Sequence, residues 1–149
     1  MSELRITTSA EETVAVACSF AGRLQRGDVV ALFGDLGSGK TQFVKGVCRA
    51  FRTSTQVTSP SFVILNRYVG SDAKKSEIFL YHFDLYRVTT LAEIYDLGYE
   101  EFLQSDALCL IEWAERLGEL LPKQRYDVRF SFGDGENERR IEIVGVNVE

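Results

Sequence analysis

Two apolar runs stand out from an otherwise mixed chain: Val29-Val30-Ala31-Leu32-Phe33 and Ala107-Leu108-Cys109-Leu110-Ile111, the second closed by Glu112. Short runs without polar alternation predict strands buried on both faces, as in the parallel part of an α/β sheet. Elsewhere the period changes. Behind Ser9, with Glu12 three residues on as a capping-box partner, Val14, Ala17, Cys18, Ala21 and Leu24 fall on one helical face, and Gly27 is the expected stop. A second helix is expected over Thr41 to Phe51, directly after a glycine-rich loop. Leu4 to Thr7 reads as a short edge strand. Phe62 to Tyr68 and Ile78 to Asp84 read as strands whose polar connection is too short for a crossover helix, so they should pair antiparallel.

Further along, Thr89 or Thr90 caps a short helix with Leu91, Ile94 and Tyr95 inward and Gly98 as its end, and Glu100 to Leu103 adds another turn. Trp113 to Leu121 predicts a helix stopped before Pro122. Val128 to Phe132 and Arg139 to Val144 flank Gly133-Asp134-Gly135-Glu136, a hairpin turn. Together these elements predict one α/β domain over residues 1–149, with three layers and a mixed sheet. Its core is parallel, and the antiparallel additions come from residues 62–84 and 128–144.

Composition narrows the function. At 149 residues, 45% hydrophobic and 26% charged, the chain is long enough to bury one substantial core. Its net charge of −5 argues against an extended basic surface gripping nucleic acid unaided. Lys45, Arg49 and Arg52 recur at helical spacing, which fits either a solvated face or a docking face for an acidic partner or an RNA backbone. Cys18, Cys48 and Cys109 are far apart in apolar contexts, and His82 is the sole histidine, so no metal-binding spacing exists. They read as core residues in a reducing compartment. Met1 to Glu12 lacks an apolar signal core, and no run approaches a membrane span, so the expected location is cytoplasmic.

The candidate chemistry sits between the first buried strand and the helix after it. Gly34-Asp35-Leu36-Gly37-Ser38-Gly39-Lys40-Thr41 fits G-x-x-x-x-G-K-[ST] without exception. The glycines let backbone N–H groups close on an anion, Lys40 supplies charge for the outer phosphates, and the Thr41 hydroxyl is a Mg²⁺ ligand. A helix N-terminus at this point adds free N–H groups and a favourable dipole. A P-loop NTPase-type domain is therefore expected.

A metal-bound triphosphate needs a further oxygen ligand, and an acid at the end of a neighbouring strand is the usual source. Glu112 and Asp84 both qualify; each also has a plain alternative, as a helix cap and as an ion-pair partner of Arg87. His82 reads as a structural histidine, although it alternates onto the strand face of Asp84. Trp113 either lines the nucleotide pocket or anchors the core. Thr58-Ser59-Pro60-Ser61, after a polar connection from Thr53, suggests a segment that closes over the γ-phosphate. No N-K-x-D-type guanine reader is present, which favours ATP. Arg87 is the sole candidate arginine finger, so slow intrinsic hydrolysis and a site completed by a partner are expected.

Five stretches carry a family resemblance: G-D-L-G-S-G-K-T at 34–41, T-S-P-S-F at 58–62, H-F-D-L-Y-R at 82–87, L-G-Y-E-E at 97–101 and I-E-W-A-E at 111–115. In this order and spacing the chain resembles the TsaE (YjeE) family of P-loop ATPases, which serve tRNA threonylcarbamoyladenosine synthesis. One departure is Ser61, where threonine is expected; the hydroxyl is retained. The resemblance implies that Lys40 and Thr41 bind phosphates and Mg²⁺, that Glu112 joins the metal site, and that Asp84 is needed near the γ-phosphate. It makes Thr58 to Phe62 the switch segment. It also implies ATP hydrolysis in a complex with TsaB and TsaD, where TsaD modifies the adenosine beside the anticodon and TsaE resets the complex, with tRNA met only through that complex. Two other classes compete: a nucleotide-gated, non-catalytic binding module and a small-metabolite kinase. The kinase lacks an arginine-rich lid in the sequence.

Overall fold

A computed structural model describes residues 2–53 and 64–148. Its strands are β1 (Ser2–Thr7), β2 (Val29–Phe33), β3 (Leu65–Ser71), β4 (Glu77–Asp84), β5 (Leu108–Glu112), β6 (Arg125–Phe132) and β7 (Arg139–Val146). Its helices are α1 (Ala10–Ala21), α2 (Lys40–Ala50), α3 (Leu91–Leu97) and α4 (Tyr99–Gln104). The strands form one sheet in the order β1-β7-β6-β2-β5-β4-β3.

The apolar runs occupy the middle of this sheet, where both faces must be dry. β2 pairs in parallel with β5 on one side and β6 on the other, and β4 runs parallel to β5. Side-chain alternation then sorts the core into two halves. Val30, Leu32, Leu108, Leu110 and Leu80 meet α1 and α2, while Val29, Ala31, Cys109, Ile111 and Phe83 meet α3 and α4. The result is the expected three-layer α/β arrangement. Each hairpin, however, contributes one strand parallel to the core (β4, β6) and one antiparallel (β3, β7), rather than two antiparallel additions. A strand that enters beside a buried parallel neighbour satisfies its backbone there, and only its outer partner must run back.

α1 and α2 pack closely because Gly46 has no side chain: a Cβ there would lie 2.4 Å from the Val14 carbonyl oxygen and 2.5 Å from Ala17 Cβ. Ser9 caps α1 through its hydroxyl, which accepts the Glu12 N–H at 3.1 Å, and the Glu12 carboxylate takes the Thr8 N–H at 2.8 Å. Thr90 caps α3, with a full capping box to Glu93.

Four local expectations fail. α1 ends at Ala21 instead of Gly27, because the chain tightens through Arg23 N–H to Phe20 and Leu24 N–H to Ala21; Gly27 (φ 87°) serves the following turn. Arg52, with φ 58°, lies past the end of α2 and leaves the helical row of Lys45 and Arg49. In α3 only Ile94 is buried, while Leu91 and Tyr95 are 49% and 52% exposed. Trp113 to Leu121 forms two 3-10 turns, Ala114–Arg116 and Gly118–Leu120, because Trp113 (φ 59°) and Gly118 (φ 51°) both adopt left-handed backbone. Of the strand expected from Phe62, residues 62–63 lie outside the described residues, as do Thr58 and the rest of the expected switch segment.

Candidate functional site

The parallel strands β2, β5 and β4 end on one rim of the sheet, and the glycine-rich loop leaves β2 there. Gly34, Gly37 and Gly39 all have positive φ (151°, 78° and 112°), and a Cβ on Gly34 would meet Ser38 Oγ at 2.7 Å and Phe130 Cβ at 2.9 Å. The turn is held from within: Ser38 Oγ, fully buried, donates to the Asp35 carbonyl at 2.6 Å. Asp35 and Leu36 form its exposed tip. α2 then begins at Lys40, its first turn closed by Phe43 N–H to the Gly39 carbonyl. This is the strand–loop–helix context that an anion site requires.

Parity places the acids. Glu112 follows Leu108 and Leu110 onto the α2 face of β5, and His82 and Asp84 follow Leu80 onto the same face of β4. Asp84 and Glu112 are register partners. Thr41, in the first turn of α2, directs its hydroxyl at the Glu112 carboxylate, 3.3 and 3.4 Å from the two oxygens. The Lys40 ammonium donates to the Gly34 carbonyl and sits 3.5 Å from the centre of the Trp113 ring, a cation–π contact. The left-handed backbone of Trp113 turns the ring onto Lys40 and against Tyr86, ring centres 5.0 Å apart. A bulky residue with positive φ at a strand end is strain of the kind stored at working sites.

Electrostatics follow from burial. Lys40 is only 4% exposed, and desolvation lowers its pKa against the opposing pull of Glu112, Glu115, Asp84 and Asp35. Burial also raises the Asp84 carboxyl; the Tyr86 N–H donated to it pulls the other way, and the charge of Glu112 adds to the rise. Among the described residues no cluster of three or more His, Cys, Asp or Glu side chains forms a metal cage. The Thr41–Glu112 oxygen pair instead suits a hard cation that takes one or two protein ligands and draws the rest from phosphate and water.

Of the residues singled out from the sequence, Lys40, Thr41, Asp84, Glu112 and Trp113 come together around the loop, and Thr58 lies outside the described residues. Arg87 is exposed. Three contacts were not read from the sequence. His82, fully buried, meets Glu112 Oε2 through Nε2 at 2.5 Å. Tyr68 joins it from β3, its hydroxyl 3.1 Å from His82 Nδ1. Arg139, on β7, donates to the Gly37 carbonyl at 3.3 Å and borders a cavity of about 360 Å³ beside the loop, shared with Thr8, Ser9, Thr13, Gly39 and Gln42. That volume is in the range of small-molecule sites. Strand parity already put His82 on the face of Asp84, where it read as structural, but not its contact with Glu112; no local pattern links residue 139 to the loop.

Comparison with known proteins bears on the family and the fold. Residues 7–141 match the family model "Threonylcarbamoyl adenosine biosynthesis protein TsaE". The chain is similar to a Bacillus subtilis protein named tRNA threonylcarbamoyladenosine biosynthesis protein TsaE, 38% identical over 144 residues, which cover 96% of this chain and 87% of that one. A Rickettsia felis protein of the same name is 39% identical over 140 residues, 93% of this chain and 78% of its own. Among solved structures, the crystal structure of Bacillus subtilis YdiB superposes with a TM-score of 0.77 at 32% identity, covering 99% of this chain and 87% of that one.

Proposed function

The chain belongs to the TsaE family, and on that premise we propose that it binds and hydrolyses ATP with Mg²⁺ as a subunit of the tRNA threonylcarbamoyladenosine modification machinery, acting with TsaB and TsaD. The single observation that carries the ATPase reading is the meeting of Thr41 and Glu112 at the foot of α2, next to Lys40. A hydroxyl, a buried carboxylate and an ammonium converge there from a loop whose backbone is shaped for phosphate.

The residues divide the work. The N–H groups from Asp35 to Thr41 surround the phosphates, and Lys40 exchanges the Gly34 carbonyl and the Trp113 face for phosphate oxygen. Thr41 and Glu112 would hold Mg²⁺, which supplies neutralisation of the triphosphate charge when bound. Asp84, register partner of Glu112 at the end of β4, orients the attacking water near the γ-phosphate. The cavity beside the loop, bordered by Thr8, Gln42 and Arg139, receives the nucleoside. Hydrolysis is slow for the chain alone and is completed by a partner, the reading the sequence already favoured. tRNA is met through that complex, as the net charge of −5 suggests. No helix among the described residues is long and apolar enough to cross a membrane.

The test separates binding from chemistry. Asp84→Ala should retain ATP, Glu112→Ala should retain Mg²⁺-free ATP binding, and both should lose phosphate release and fail to support tRNA modification. Full function in both variants would leave a nucleotide-gated binding module; stoichiometric transfer of phosphate to a small acceptor by the wild type would make it a kinase.

A further inference from the structure

Glu112 is 3% exposed, and a carboxylate so buried needs firm partners. Among the described residues its side-chain contacts are unequal. The Thr41 hydroxyl lies 3.3–3.4 Å away, at the long end for an O–H donor, whereas His82 Nε2 is at 2.5 Å. The tighter partner is therefore the histidine.

Behind the histidine stands a second layer on the same sheet face. Asn66, Tyr68, His82 and Glu112 come from β3, β4 and β5, each at the parity that faces α2. An ionised Glu112 only accepts, so Nε2 is the donor to it. In the neutral ring Nδ1 is then an acceptor, and the Tyr68 hydroxyl at 3.1 Å supplies its hydrogen. The Tyr68 oxygen in turn accepts from Asn66 Nδ2 at 3.4 Å. Each hydrogen bond in this order then has one donor and one acceptor. The order also fixes the tautomer that presents N–H to Glu112.

We infer that Tyr68 and His82 are positioning residues, a buried Tyr–His pair that aims the Glu112 carboxylate at the metal side of Thr41. Neither touches nucleotide; both act through Glu112. The inference rests on the Mg²⁺ role proposed above for Glu112 and deepens it. Partners that orient a metal ligand in this way typically govern metal affinity by about 10- to 100-fold.

The experiment measures affinity for a non-hydrolysable ATP analogue with Mg²⁺ and again in EDTA, reading fluorescence of Trp113, the sole tryptophan. The ratio of the two affinities is the metal contribution. Glu112→Gln sets the value expected when the ligand is lost. His82→Leu should lower the wild-type ratio at least about 10-fold with the EDTA affinity unchanged, because the phosphate loop is untouched. His82→Gln, whose amide nitrogen can replace Nε2 as donor to Glu112, should recover most of that loss. Tyr68→Phe keeps the ring packing, removes the hydrogen bond and should fall between them. It also carries the test if His82→Leu does not fold.

Wild-type ratios in Tyr68→Phe and in every folded His82 variant, with Glu112→Gln impaired, would overturn the positioning role alone. Equal losses with Mg²⁺ and in EDTA would also overturn it, since they mark general damage. A wild-type protein whose affinity ignores Mg²⁺ would overturn the metal role of Glu112, and the inference with it.

Discussion

Lys40 holds two contacts that a bound phosphate would have to replace, the Gly34 carbonyl and the Trp113 face, and its burial already disfavours its charge. Charge-assisted bonds to phosphate are each worth roughly 1.5–3 kcal/mol. Lys40→Ala should therefore weaken triphosphate binding by about 10- to 150-fold by titration calorimetry. Unchanged affinity would place the phosphates elsewhere. Thr41→Ala should damage Mg²⁺-dependent turnover more than Mg²⁺-free binding, whereas equal damage would remove the hydroxyl from the metal site. The sequence displayed these residues because a phosphate loop is local: its spacing is written in consecutive positions. Glu112 was nearly as plain, as an acid closing an apolar run. His82 was not. One histidine has no spacing to recognise, and its meaning depends on β5 lying beside β4, which is a long-range fact.

At the scale of elements, the packing of α1 on α2 turns on Gly46. Alanine would gain about 1 kcal/mol of helix propensity. Its Cβ would also lie 2.4 Å from a backbone carbonyl that cannot swing away, and such overpacking costs about 1–3 kcal/mol or more. The contact is with backbone, so the loss wins. Gly46→Ala should melt several degrees below wild type, and an unchanged or higher melting temperature would contradict this packing.

The cap of α3 gives a pH dependence. Backbone N–H groups of Thr89 and Thr90 donate to the Glu93 carboxylate and lower its pKa below the ordinary value. A depressed acid stabilises the fold above its unfolded pKa, and that support is lost as pH falls through the lower folded value. Amide protection in α3 should thus decline under acid below the usual carboxylate range. In Glu93→Gln the step should vanish; a persisting step would assign it to another acid. The cap, as Thr89 or Thr90, was readable in the sequence because capping is local; its Glu93 partner came from the structure. The helix expected over Trp113 to Leu121 was misread for the opposite reason. Nothing in I-E-W-A-E announces that Trp113 will turn left-handed, since its backbone is set by the ring's place between Lys40 and Tyr86.

Across the whole molecule, the two apolar runs sufficed to predict a parallel centre, and hairpin spacing gave the flanking pairs. What hydropathy could not give was strand order. β6 pairs with β2 and β4 with β5, so both hairpins enter the sheet edge-on and extend its parallel core. That order brings β7, and with it Arg139, beside a loop about a hundred residues earlier in the chain. It also gathers the ends of β2, β4 and β5 on one rim, where Lys40, Asp84 and Glu112 meet. Full activity is proposed as a property of an assembly, in which a partner supplies the charge that speeds hydrolysis. The most direct measurement is ATP turnover with Mg²⁺, first for this protein alone and then with TsaB, TsaD and tRNA added. Slow basal turnover that rises with the complete set is the predicted result. Turnover indifferent to those components would contradict the partner-dependent ATPase.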